Sequence, residues 1–95
     1  MPFYAVHCLD GADALETRLA RHAEHRAYLA AAKVKLIVAG PLVSPNGEKM
    51  IGSLFIVEAD TMEAVEDFNA SDPFTVNKVW EKVQINRFDK KTDNR

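Results

Sequence analysis

Apolar and polar positions along the chain follow two periods, one of strands and one of helices. Phe3 to Leu9 is aromatic and β-branched in character and stops at the turn pair Asp10-Gly11, which predicts a first strand. From Asp13 to Ala32 the composition shifts to Ala, Leu, Glu and Arg with no Pro and no Gly, which predicts one helix of about five turns. Leu15, Leu19 and Leu29 set the core direction of that helix, and His22 and Arg26 fall in the same arc. Val34 to Val43, closed by Gly40-Pro41 near its end, is the second predicted strand. Ser44-Pro45-Asn46-Gly47-Glu48 carries two overlapping turn signals and leads into a third, Met50 to Ala59. Asp60 followed by Glu63 is the Asp version of a capping box and starts a second helix, with Met62, Val65 and Phe68 on its apolar side. Pro73 disfavours helical geometry at Asp72, so this helix ends by about Ser71. A last strand is expected from about Trp80 to Phe88, and the polar tail, Asp89 to Arg95, is expected to fray.

The order β-α-β-β-α-β is the ferredoxin-like α+β arrangement in a single domain, residues 1–95. Two helices cover only one face of a four-stranded sheet. Leu36-Ile37-Val38-Ala39 and Leu54-Phe55-Ile56-Val57 are apolar at consecutive positions, which places hydrophobic side chains on both faces. A homodimer with sheets facing each other is the economical cover; a monomer with a ligand cavity on that face is the alternative.

Composition narrows the function classes. Of 95 residues, 47% are hydrophobic and 27% charged, an ordinary globular mixture. The formal charge of −2 offers no basic surplus for a phosphate backbone, so nucleic acid is a poor partner. No apolar run approaches the length of about 18 to 20 residues that a membrane span needs. Met1 to Cys8 lacks the positive n-region and cleavage site of a signal peptide. A single cysteine forms no intrachain disulfide and no structural zinc site. These features describe a small, soluble, cytoplasmic protein.

Candidate chemistry concentrates in two segments. Arg18, His22 and His25, spaced i, i+4, i+7, form a basic ridge along the edge of the buried helix face. Such groups cost desolvation free energy unless paired or facing a cavity. They serve either as a pocket wall or as snorkelling and carbonyl-bonded side chains. His22 and His25 have no further ligands at zinc spacing, so no metal is expected. The second segment is Ser71-Asp72-Pro73-Phe74, where Asp72 at an N-cap with Pro73 at N1 is a common helix start. Asp72 is equally suited to holding the tautomer of an imidazole, and its two oxygens leave room for both roles. Gly40-Pro41 and Gly52-Ser53 mark places where a ligand could approach the backbone, or simply a turn and a bulge. Cys8 reads as a core side chain, and His7 as a sheet or interface residue. The chain has no glycine-rich phosphate loop and no dinucleotide fingerprint, so no cofactor is expected.

Taken together, Asp10, Arg18-Leu19-Ala20 through His25 and Leu29, Ala39-Gly40-Pro41, Gly52-Ser53 and Asp72-Pro73-Phe74 resemble the YciI-like (YCII-related) family over roughly Phe3 to Phe88. The resemblance implies a ferredoxin-like subunit, usually dimeric, with a His and Asp pair in its pocket. By position that pair is His25 and Asp72, and Arg18 matches a recurring basic position. His22 stands where some relatives carry Arg, and Arg26 occupies a position often apolar. Relatives include a dehydrochlorinase acting on a chlorinated hydroxyquinol. The expected activity is that of a small cofactor-independent lyase or isomerase acting on a small oxygenated ring or acid. His25 would be the general base, Asp72 its orienting group, and Arg18 and His22 the anchors of an anionic or phenolic ligand. Gly40, Pro41, Ser53 and Phe74 complete the expected contacts. A non-catalytic small-anion binding or accessory module using the same pocket is the rival reading, and a purely structural dimer a third.

Overall fold

Four strands, β1 (Phe3–Asp10), β2 (Lys35–Val43), β3 (Met50–Glu58) and β4 (Trp80–Phe88), pair antiparallel in the order β2-β3-β1-β4. The computed structural model describes residues 2–95. Tyr4, Val6 and Cys8 of β1 and Ser53, Phe55 and Val57 of β3 point to one face and are buried there. Helices α1 (Leu15–Ala20), α2 (His22–Ala30), α3 (Met62–Ala70) and the one-turn α4 (Pro73–Val76) supply the rest of that core, chiefly Val65, Phe68 and Phe74. This is the ferredoxin-like architecture, with the helix of the first half divided into α1 and α2 and that of the second followed by the one-turn α4. Gly52 has no room for a side chain, because a Cβ there would collide with the Cys8 carbonyl and press on the Leu42 side chain.

Three local differences from the sequence expectation matter. The Asp13 to Ala32 helix is two segments that meet at Arg21, although backbone bonds from Arg21 N–H to Thr17 O and His25 N–H to Arg21 O run on through the junction. Its inward face is also not the leucine face: Leu15 and Leu19 are exposed, 38% and 58%, whereas Ala14, Arg18 and His25 are buried. The buried arc lies roughly a quarter turn from the predicted one; His22 and Arg26 face outward with Leu15 and Leu19, while Leu29 still packs on the core. The reason is that Arg18 and His25 find partners inside, which removes the desolvation penalty that the leucine reading assumed. The third difference is the start of α3, where Thr61 rather than Asp60 is the N-cap, its hydroxyl accepting from Ala64 N–H.

Between α4 and β4 the chain turns through Lys78, a non-glycine residue at φ 57°. Lys78 N–H donates to Thr75 O and Val79 N–H to Phe74 O, the paired bonds of a Schellman closure. Val79 is fully buried behind it and receives Gly11 N–H on its carbonyl. This closure fixes where β4 begins, and hence the position of Trp80.

Candidate active site

The site grows from the segment that follows α3. Pro73 holds Asp72 extended, φ −63° and ψ 133°, which suits an N-cap. Asp72 Oδ1 accepts the Phe74 backbone N–H at 2.8 Å. The same oxygen lies 2.8 Å from His25 Nδ1. A carboxylate oxygen only accepts, so Nδ1 carries the hydrogen in this contact, and in a neutral imidazole Nε2 is then the nitrogen with the lone pair. Asp72 is fully buried and His25 is 7% exposed.

His25 is boxed by aromatic rings. It stacks on Phe74 at 3.9 Å between centroids and 6° between planes. Trp80 meets it edge-on at 6.2 Å, and Phe55 is tilted against it at 6.1 Å. Arg18 sits over the same Phe74 ring, its Cζ 4.8 Å from the centroid.

Arg18 is held by a fork. Nε donates to Asp10 Oδ2 at 2.7 Å, and Nη2 donates to Asp10 Oδ1 at 2.8 Å and to Ser53 Oγ at 2.9 Å. The pair is almost completely withdrawn from solvent, with side chains 3% and 6% exposed. A register shift between Leu9 and Asp10 pairs Asp10 with Trp80 and skips Glu81, so both side chains turn toward the helix layer. Arg18 Nη1 and His25 Nε2 have no hydrogen-bond partner among the described residues. Neither belongs to the sealed polar atoms left unpaired, so both are reachable from outside.

The structure thus brings together five of the predicted residues, Arg18, His25, Asp72, Phe74 and Ser53, the last a hydroxyl that accepts from Arg18. It does not bring in His22, which is exposed on α2, nor Gly40 and Pro41, which are exposed on the edge strand β2. Two residues unassigned by the sequence reading join the site. Asp10 was legible as a turn residue and as part of the family resemblance, without a role at the site; its pairing with Arg18 comes from the bulge. Trp80 was legible as the start of a strand, with nothing to mark it as a neighbour of His25. Among the described residues no three His, Cys, Asp or Glu side chains converge as a metal site would require, and no helix is long and apolar enough to cross a membrane.

Two cavities flank the network. One of about 600 Å³ lies beyond Tyr28, Phe68 and Ser71, and one of about 530 Å³ lies beside Asp10, Glu16 and Lys49. Neither is lined by His25 or Asp72. Tyr28 stacks on Phe68 at 5.5 Å and donates its hydroxyl to Phe68 O at 2.7 Å. Burial and the nearby Asp72 charge push the Tyr28 phenol above its ordinary pKa.

Known proteins share this arrangement of elements. The chain is 31% identical over 94 residues to Protein YciI of Escherichia coli O6:H1, covering 92% of this chain and 96% of that one. It is 30% identical over 95 residues to an uncharacterized protein of Haemophilus influenzae, covering 93% and 97%. Its fold superposes with a TM-score of 0.83 and 28% identity on the 5-chloro-2-hydroxyhydroquinone dehydrochlorinase of Burkholderia phenoliruptrix AC1100, solved with 2,5-dihydroxybenzoquinone, over 92% of this chain and 93% of that one. The sequence model of the YCII-related domain matches residues 2–89, and the chain belongs to the YCII-related family.

Proposed function

We propose that this protein is a small cofactor-independent lyase or isomerase that uses His25 as a general base on a small hydroxylated ring or acid. The observation that carries the reading is the His25–Asp72 contact of 2.8 Å, which commits Nδ1 and leaves Nε2 free. Arg18 Nη1, held beside the same Phe74 ring, is placed to receive the oxyanion that forms as the proton leaves. The relative that dehydrochlorinates a chlorinated hydroxyhydroquinone supports the same reaction class.

For such a substrate the balance closes without oxidant or reductant. His25 Nε2 takes a hydroxyl proton and returns it to the ring carbon that bears chlorine, making a ketone. A second hydroxyl proton is then removed, its oxygen pair moves into the ring, and chloride leaves with the carbon–chlorine pair. The net loss is HCl.

The test is chloride release from 5-chloro-2-hydroxyhydroquinone under exclusion of oxygen. Wild type is expected to turn over, and His25→Ala to lose about 10²–10⁴-fold. Full turnover by His25→Ala would sink the mechanism. A ring ligand that binds, survives unchanged and binds equally after Asp72→Asn would make the protein a binding module.

The assembly we propose is a homodimer through the open face of the sheet, where Leu9, Val38 and Phe88 are 36%, 46% and 39% exposed. Sedimentation at micromolar concentration is expected to give a dimer, and a single monomeric species would end that reading. We place the protein in the cytoplasm, in keeping with one buried, unpaired cysteine.

A further inference from the structure

The segment that follows β4, residues 89–95, turns back across the sheet. Lys90 Nζ sits 4.9 Å from the centroid of the Phe3 ring. Phe3 alternates with the buried Tyr4, so its ring belongs to the open face. Farther along, Arg95 Nη1 donates to the carbonyl of Ile37 at 3.3 Å. Ile37 lies on β2, and the order β2-β3-β1-β4 puts β1 and β3 between it and the strand the segment leaves. Asp93 ties the two ends together. It accepts from Lys90 Nζ at 3.4 Å, from Arg95 Nη2 at 2.7 Å and from Arg95 Nε at 3.0 Å. Asp89 and Lys91 pair with one another instead, at 3.0 Å, and stand in solvent at 80% and 81% exposure.

We propose that residues 89–95 are a charge-held strap that competes with a second copy of the chain for the Phe3 end of the open face, a regulation of assembly that rests on the homodimer reading above. Phe3 pairs directly with Phe88 across β1 and β4, so the two rings share that face, and Lys90 stands over one of them. Packed sheets lie about 10 Å apart with their side chains interdigitated, which leaves no layer for a chain segment between them. A copy that docks over Phe3 must first lift the strap. The contacts that hold it open readily, since surface ion pairs and an exposed cation over a ring are each weak. Only molecules with the strap raised are competent to pair, and the apparent affinity falls by that fraction, once for each copy. Lifting the strap returns its charges to water and gives the Phe3 ring to the partner. A strap outside the docked area would leave affinity alone, and one that reached onto the partner would add to it; these are the competing outcomes.

The experiment measures the dimer Kd of the full chain by sedimentation over a dilution series, in wild type, Asp93→Ala, Lys90→Ala and Lys91→Ala. All three positions lie outside the core, so folding is not at stake. Asp93→Ala unties the strap and Lys90→Ala removes its hold on Phe3; each is expected to tighten the dimer roughly 5-fold. Lys91→Ala takes the same charge from the same segment without touching the latch, and is expected to match wild type. Unchanged or weaker pairing in Asp93→Ala overturns the strap and leaves the homodimer standing. Equal tightening in Lys90→Ala and Lys91→Ala is an effect of net charge and overturns it too. A single monomeric species in every variant ends the homodimer reading itself, and the role of the strap with it.

Discussion

His25 lies flat on Phe74, and the carboxylate oxygen that faces its Nδ1 also caps the helix to which Phe74 belongs. One atom, Asp72 Oδ1, therefore sets both the start of α4 and the position of the imidazole. The imidazole and its aromatic floor cannot shift independently. Phe74→Leu keeps the site apolar but removes the stacking surface. It is expected to cost about 1–2 kcal/mol of stability and to lower kcat by roughly 10-fold through misplacement of His25. Denaturant melts and steady-state kinetics check both. Unchanged kcat would show that stacking does not position the ring.

Asp72 caps α4 and faces His25, and two substitutions separate the cap from the proposed support of the imidazole. Asn caps a helix about as well as Asp, so Asp72→Asn should retain most of the stability. It removes the carboxylate that supports the imidazole, and turnover is expected to fall by at least about 10². Asp72→Ala loses the cap and strands the His25 N–H, for about 1–3 kcal/mol of stability as well. Thermal melts beside kcat read the two effects separately. Equal turnover in Asp72→Asn and wild type would leave Asp72 as a cap only.

The Asp10–Arg18 fork is buried, so its two members depend on one another. Asp10→Ala leaves a guanidinium without its counter-charge in a nearly dry site and is expected to cost about 3–5 kcal/mol. Ser53→Ala removes one acceptor from Arg18 and should cost about 1 kcal/mol. Replacing both charges, in Asp10→Leu with Arg18→Met, is expected to restore most of the stability without restoring turnover. Urea unfolding of the three variants measures this. A double variant no more stable than Asp10→Ala would show that packing, not charge pairing, dominates there.

The strands were legible because their apolar runs end at turn residues, as in Asp10-Gly11 and Ser44 to Glu48. Asp72-Pro73-Phe74 was legible because proline fixes both its own backbone and its neighbour's. The face of the first helix was not, since hydrophobicity alone favours Leu15 and Leu19, and only tertiary partners bring Arg18 and His25 inward. The Asp10 contact depends on a bulge that skips Glu81, which no local pattern announces. The Lys78 closure was equally hidden, because glycine is the residue that normally advertises a positive φ. What lies within one turn of a proline or glycine was readable; what depends on sheet register or long-range pairing was not.

Cys8 gives a test of the packing behind the site. It is fully buried on β1, and burial pushes its thiol up from 9.0 to about 12, against a weak contact from Asn69 and with help from the Asp72 charge. At pH 8 the folded protein should resist iodoacetamide and react only as fast as it unfolds, whereas the urea-unfolded chain reacts at once. The same shift fixes an alkaline limit on stability. Below about pH 9 both states keep the proton and the thiol contributes no pH dependence. Between pH 9 and 12 the unfolded chain loses it first, so stability falls as pH rises. Tyr28, shifted in the same direction by burial, steepens that fall. Urea midpoints from pH 8 to 11 should therefore decline, and less steeply in Cys8→Ala. Modification of Cys8 in the folded protein at the rate of a free thiol would show that the sheet and helix layers do not close over it.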